Sequence, residues 1–221
     1  VVEPTPELIG SLHEEALSLN RLVDDLQELA LAEAGQLHLE IQPVAVLPAV
    51  EKALLAMQAQ ARVRQVTLST DILVGLPPIL ADPDRFQQML RNLLDNALAH
   101  TPAGGKIGVT AAQAGAEVEF RVQDTGEGIA AEHLPLIFER FYRVDKSRAR
   151  STGGAGLGLA IVRQLVEAQG GKVAAESTPG EGTTIRFTIP SAPVGPEPAT
   201  TALPGEGCPS TAAMQPASHS T

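Results

Sequence analysis

The chain has 221 residues, 43% of them apolar, with one cysteine and a formal net charge of −10. That length suits one ordinary domain plus appendages, the lone Cys208 excludes an internal disulfide framework, and the acidic balance disfavours nonspecific nucleic-acid binding because like charge repels a phosphate backbone. No apolar run approaches the ~20 residues that span a bilayer and no basic-then-apolar leader opens the chain, so the expectation is a soluble, cytoplasmic polypeptide.

In chain order, Leu8, Leu12, Leu19, Leu22, Leu26 and Leu29 fall at alternating steps of four and three, with Glu15 in the one missing slot, and Ile9, Ala16, Val23 and Ala30 run beside them at sevens. This seam predicts one helix from about Thr5 to Ala34, ended by Gly35 at the C′ position. Such a helix cannot bury its stripe alone, which points to a homodimer or to helices upstream of this chain. Leu37, Leu39 and Ile41 alternate as a short strand. Pro48 opens a helix to about Arg62, followed by a strand at Val66–Thr70. Asp82-Pro83 is a cap with proline in the first turn and starts a helix through about His100. Ile107–Ala112 and Val118–Gln123 form a hairpin, and Leu157–Ala168 reads as a helix ended by Gly170-Gly171. Lys172–Ser177 and Thr183–Ile189 are the last two strands. Helices on one face of a mostly antiparallel sheet make a two-layer α/β sandwich of the α+β class. From Ser191 the final 31 residues hold six prolines and no Lys or Arg, the composition of a disordered tail. The expected division is 1–36 helix, 37–190 domain and 191–221 tail.

The chemistry-bearing residues lie in four places. Asn92 and Asn96, four apart, share a helix face with Gln88 and Ala99; their carboxamide oxygens suit Mg²⁺, a hard ion that prefers oxygen, although surface asparagines on an amphipathic helix would read the same. Asp124 ends a strand ahead of Thr125-Gly126-Glu127-Gly128. It is either an acceptor for the exocyclic amine of adenine or the cap of its own Asx-turn, while Gly126 and Gly128 would let backbone approach a base. In Phe138-Glu139-Arg140-Phe141-Tyr142-Arg143, core packing accounts for the phenylalanines, whereas Arg140 and Arg143 suit phosphate oxygens. Arg140, Arg143, Lys146, Arg148 and Arg150 place five of the 16 basic residues within eleven positions, which points to a small anionic ligand, and Lys146–Ser151 reads as a mobile flap. Gly154, Gly156 and Gly158, with Leu157 between the last two, lead into a helix whose unpaired N–H groups should face phosphates.

Taken in this order, Asn92…Asn96, Asp124-Thr-Gly-Glu-Gly128, Phe138…Phe141, Gly154-Ala-Gly156-Leu-Gly158 and Gly180-Glu-Gly182-Thr183 resemble the ATP-binding catalytic domain of sensor histidine kinases, part of the superfamily that also holds gyrase, heat-shock chaperones and MutL-type repair ATPases. The resemblance spans about Leu37–Pro190, and the N-terminal helix resembles the second helix of the kinase dimerisation hairpin. It implies ATP and Mg²⁺ as ligands, Asn96 as the principal metal ligand, Asn92 as a second anchor for metal or phosphate, and Asp124 against adenine with Thr183 near the same base. Arg140 and Arg143 would contact phosphates, and Gly154, Gly156 and Gly158 would hinge the lid, with Leu157 among them. The implied reaction moves the γ-phosphoryl of ATP to a histidine and then to the receiver domain of a response regulator, in a homodimer whose parent protein is an inner-membrane sensor joined to the membrane by upstream segments.

Two departures stand out. Ala99 occupies a position where the family commonly carries Lys or Arg. The family's His-Glu-x-Arg-Thr/Ser-Pro acceptor segment is absent: His13 is followed by Glu14-Glu15-Ala16-Leu17, without the basic residue, hydroxyl and proline, and on the wrong helix. The acceptor helix is therefore expected upstream. His100 is a pocket-lining group or a satisfied structural histidine. Competing readings are an anti-sigma-type serine kinase, disfavoured by the leucine seam, and a non-enzymatic nucleotide-sensing dimer scaffold, motivated by Ala99 and the missing acceptor.

Overall fold

The computed structural model describes residues 34–144 and 155–193, together with residues 5, 10, 16, 19, 20, 22, 23, 25–27 and 29–32. The expected flap at Lys146–Ser151, Gly154, and the tail beyond residue 193 lie outside the described residues. The elements are β1 (Gln42–Val44), α1 (Val46–Val63), β2 (Thr67–Ile72), β3 (Ile79–Ala81), α2 (Pro83–His100), β4 (Lys106–Ala114), β5 (Glu117–Asp124), a 3₁₀ turn at Leu134–Leu136, α3 (Gly158–Ala168), β6 (Val173–Thr178) and β7 (Gly182–Pro190).

Five strands form one sheet in the order β2-β4-β5-β7-β6. Only β2 and β4 run parallel; every other neighbour is antiparallel. Alternation dictates the layering. Val118, Phe120 and Val122 on β5, and Ile185, Phe187 and Ile189 on β7, are all buried on one face, and the opposite face carries Glu119, Arg121, Gln123 and Arg186. Three helices cover the apolar face, with α2 between α1 and α3. Phe86 of α2 meets Phe120 edge-on at 5.2 Å, and Phe120 stacks on Phe187 at 4.9 Å, so three phenylalanines tie the helix layer to the two central strands. This is the expected two-layer sandwich.

Helix α2 begins where its cap predicts: Asp82 Oδ1 accepts from the N–H groups of Asp84 and Arg85 at 3.0 and 3.1 Å. The second carboxylate oxygen accepts the Glu40 N–H at 3.0 Å, and the Asp82 N–H donates to Gln169 at the end of α3. One buried residue thus joins three segments.

Every described residue from 10 to 32 is helical, as expected, and Thr5 is not; residues 6–9 lie outside the described residues. The helix ends as Gly35 predicts, with φ +65, the Gln36 N–H bonded to Leu31 O and the Gly35 N–H to Ala32 O, the paired bonds of a Schellman motif. The seam divides: Leu29 is buried and Leu22 packs against the domain core, whereas Leu19, Val23 and Leu26 are exposed.

One strand reading is corrected, and one strand was not expected. Leu37, Leu39 and Ile41 form no ladder; the strand is Gln42–Val44, paired antiparallel with Ile79–Ala81. Alternation can mark which side chains turn inward, and Leu37 and Leu39 do, but a strand exists only where a partner lies. β3 itself is three residues behind Pro77-Pro78, too short for a period. The domain's hydrogen bonding also runs past Pro190, because the Ser191 N–H donates to Ala116 O and the Ala192 N–H to Pro78 O.

Candidate functional site

The candidate site lies at one rim of the sheet, between the layers, where β5 ends, β7 begins and α2 finishes. On β5 the inward alternation Val118, Phe120, Val122 reaches Asp124, and on β7 Ile189, Phe187, Ile185 reaches Thr183. The core face therefore ends in a carboxylate and a hydroxyl, both about 7% exposed. Asp124 Oδ1 accepts the Gly126 N–H at 2.8 Å and the Thr183 N–H at 3.3 Å. The Asx-turn reading is thus realised on one oxygen, and Oδ2 is left for another donor. Burial pushes the Asp124 carboxyl above the ordinary aspartate range; the Gly126 and Thr183 N–H groups and nearby His100 pull in the opposite direction.

The loop after Asp124 is latched on both sides. Thr125 exchanges bonds with Lys106, the Glu127 N–H donates to His100 O and the Gly180 N–H to Glu127 O at 2.8 Å. Gly126 and Gly128 serve this close packing: a Cβ at Gly126 would lie 2.5 Å from His100 O, and one at Gly128, where φ is +69, would collide with Thr178 O. Their need for glycine is met by protein backbone before any ligand is considered. The side chain of His100 is half-exposed at this rim and its Nδ1 lies 2.8 Å from Glu127 Oε1.

Asn96 and Asn92 follow along α2, one and two turns back from His100, a run of about 12 Å at 1.5 Å per residue. Both are half-buried. The Asn92 Nδ2 points at Gly158 O across 3.5 Å, which puts Asn92 against the first turn of α3 and leaves its carbonyl oxygen unspent. No side-chain hydrogen bond of Asn96 occurs among the described residues. Gly158 is the first residue of α3, and no side chain caps that end. Leu157 is 2% exposed and belongs to the core, so its side chain is not available to a ligand. Gly156 (φ +74) accepts the Phe141 N–H at 3.0 Å, bringing the arginine segment beside the start of α3.

Within that segment Phe138 packs against the core, but Phe141 does not. It is 60% exposed with φ +60, which corrects the expectation that core packing accounts for both phenylalanines; its backbone, held by Gly156, turns the ring outward. Tyr142 is anchored through its hydroxyl, 2.7 Å from His133 Nδ1. Arg140 lines a concavity of about 350 Å³ with Phe138, Glu139, Ala160, Arg163 and Gln164, a lining that includes none of Asn92, Asn96 or Asp124. Arg143 is half-buried two residues beyond Phe141.

Sequence reasoning missed Ser177. Its Oγ bonds to Ile129 N, Gly182 O and Thr183 Oγ1 at 2.8, 2.7 and 2.9 Å, joining the Asp124 loop to β7. The available signal was its place at the end of β6, directly across from Thr183.

Residues 81–193 match the family described as histidine kinase-, DNA gyrase B-, and HSP90-like ATPase. The chain is 36% identical over 186 residues to the signal transduction histidine-protein kinase BaeS of Escherichia coli (strain K12), a stretch covering 84% of this chain and 40% of BaeS. It thus spans well under half of that relative's length. Among solved structures, full-length ShkA in complex with AMPPNP superposes with a TM-score of 0.74 at 32% identity, covering 86% of this chain and 41% of ShkA. The Acinetobacter baumannii histidine kinase AdeS superposes with a TM-score of 0.73 at 27% identity, covering 86% of this chain and 87% of that one.

Proposed function

Because the chain belongs to the histidine kinase-, DNA gyrase B-, and HSP90-like ATPase family, we propose that it is the ATP-binding catalytic part of a sensor histidine kinase. The observation that carries this reading is the half-used carboxylate of Asp124. One oxygen is consumed by backbone N–H groups and the other accepts no hydrogen bond among the described residues, while on the neighbouring helix Asn92 lies against Gly158 at the start of α3, which no side chain caps. A base with an exocyclic amine fits that oxygen and a chain of phosphates fits that helix start. The complex of ShkA with AMPPNP supports the same assignment.

In this reading Asp124 Oδ2 accepts the adenine amine and excludes bases without a donor there. The backbone N–H groups opening α3 receive phosphate oxygens, with Arg140 and Arg143 reaching them from the neighbouring segment. Asn96, with Asn92 beside it, would hold Mg²⁺, since carboxamide oxygens are neutral hard donors and the Asn96 side chain has no hydrogen-bond partner among the described residues. When bound, the ion would neutralise charge on the phosphates. Catalysis is then chiefly positioning and charge stabilisation, with the γ-phosphoryl passing to a histidine nitrogen on an upstream helix and from there to a response-regulator receiver domain. The exposed Leu19, Val23 and Leu26 support the N-terminal helix as the homodimer contact. No helix among the described residues is long and apolar enough to cross a membrane; the domain works on the cytoplasmic side, where ATP is supplied, of an inner-membrane parent.

The test is calorimetric titration with a nonhydrolysable ATP analogue, with and without Mg²⁺, on the native chain and on Asn96→Ala. Magnesium-dependent binding that weakens about tenfold or more in the variant is expected. A folded native chain that binds nothing would sink the reading.

A further inference from the structure

Any role of Ser177 in nucleotide recognition rests on the reading of Asp124 and Thr183 as the base-binding end of the site. Ser177 and Thr183 face each other across the β6–β7 ladder, and the end of the Asp124 loop folds over them. A serine hydroxyl has one hydrogen and two lone pairs, and Ser177 Oγ has three partners. The Gly182 carbonyl oxygen, 2.7 Å away, can only accept, and two oxygens at that distance repel unless a hydrogen lies between them, so the serine hydrogen is committed there. The Ile129 N–H can only donate, and it takes one lone pair. The remaining lone pair faces Thr183 Oγ1 at 2.9 Å, and that contact is a hydrogen bond only if the threonine hydroxyl is the donor.

We propose that Ser177 is a positioning residue for base specificity: by taking the hydroxyl hydrogen of Thr183, it leaves Thr183 only lone pairs to present to the base. Asp124 Oδ2 is an acceptor already, so this end of the pocket becomes a wall of acceptors. Facing the C6 substituent, as the Asp124 reading requires, it favours a purine carrying an amine there and opposes a 6-oxo purine, whose oxygen would meet lone pairs. Thr183 is about 7% exposed, which limits the water that could soften the mismatch. Ser177 acts through Thr183, and its polarity follows from Gly182 and Ile129, two backbone groups whose roles cannot reverse.

A purely structural Ser177, stapling the loop at Ile129, would affect every nucleotide alike, and the experiment separates the two roles. ATP, inosine triphosphate and purine riboside triphosphate, which has no C6 substituent, are titrated against the native chain, Ser177→Ala, Ser177→Thr, Thr183→Val and the double variant. In Ser177→Ala the Thr183 hydroxyl is free to turn and donate to a 6-oxo group. The ATP-to-ITP affinity ratio is expected to fall about five- to tenfold, whereas Ser177→Thr, which keeps the hydroxyl, retains the native ratio. In the Thr183→Val background, adding Ser177→Ala should change the ratio no further. Equal loss of affinity for all three nucleotides in Ser177→Ala, with the ratio intact, overturns the proposal. If Ser177→Ala does not fold, Thr183→Val decides alone, and native-like discrimination in it overturns the proposal. Asp124→Asn serves as the control for the premise: undiminished ATP binding in that variant would overturn the site assignment itself, independently of Ser177.

Discussion

In the proposed nucleotide site Asp124 carries two duties on two oxygens, and they make opposite demands. Oδ1 holds the turn and β7 through Gly126 and Thr183, a duty that an amide oxygen would perform equally well. Oδ2, in the proposed reading, serves the base and works only as an acceptor. Burial raises the pKa above the ordinary value of 3.8, so between those two values the folded chain holds a proton that the unfolded chain has released. The resulting stabilisation is fully present below 3.8 and is lost as pH rises through the folded value. Asp124→Asn removes the buried charge and keeps the acceptor for both N–H groups. It is expected to be at least as stable as the native chain at pH 7, with the difference closing towards pH 3, in thermal unfolding across a pH series. Its nucleotide affinity should be about tenfold or more lower at pH 7. Native affinity should decline on acidification through the raised pKa, and the Asn variant should show no such decline.

The elements are joined at a few backbone groups, and these give sharper expectations than helix or strand propensity. Asp82 caps α2 and also satisfies the Glu40 N–H. Asp82→Ala strands three donors and should cost about 2–3 kcal/mol, above the ~1 kcal/mol of a typical cap. A urea titration should show a lower midpoint with an unchanged slope. At the β6–β7 turn two glycines with positive φ differ in surroundings. Gly180 (φ +83) has open space around it, and Gly182 (φ +110) would drive a Cβ into the Asp124 carbonyl oxygen. Gly180→Ala should therefore cost only the conformational ~1–2 kcal/mol. Gly182→Ala adds overpacking of about 1–3 kcal/mol and should weaken nucleotide binding as well, because the displaced group is Asp124 itself. Paired unfolding and binding measurements distinguish the two glycines.

For the whole molecule the N-terminal helix is the telling part. Leu22 and Leu29 turn to the chain's own domain, whereas Leu19, Val23 and Leu26, exposed at 62%, 51% and 45%, continue at steps of four and three to Ala30 along a neighbouring stripe. A stripe of that period fits the seam of the proposed homodimer, and Leu19, Val23 and Leu26 remain exposed. Val23→Glu with Leu26→Glu should convert a dimer to a monomer in sedimentation analysis while the unfolding transition of residues 37–190 stays in place. A monomeric native chain would overturn the dimer contact. The seam was legible in the leucine spacing. Its division between intramolecular packing and an open face was not, because periodicity gives a helix one apolar side without saying how many neighbours share it.

The sequence by itself determined those features that consecutive residues decide among themselves. Asp82-Pro83 set the start of α2, Gly35 the end of the N-terminal helix, and the alternation through Val118, Phe120 and Val122 the buried face of β5. The same alternation, carried one step further, already aimed Asp124 into the space under the helices. These follow from side-chain period, fixed φ and cap chemistry, none of which needs a distant partner. Tertiary structure alone decided the pairing of Gln42–Val44 with Ile79–Ala81, the outward turn of Phe141 against Gly156, and the three bonds of Ser177. Each of these depends on a hydrogen-bond partner supplied from elsewhere in the chain, and no local pattern records where such a partner will lie.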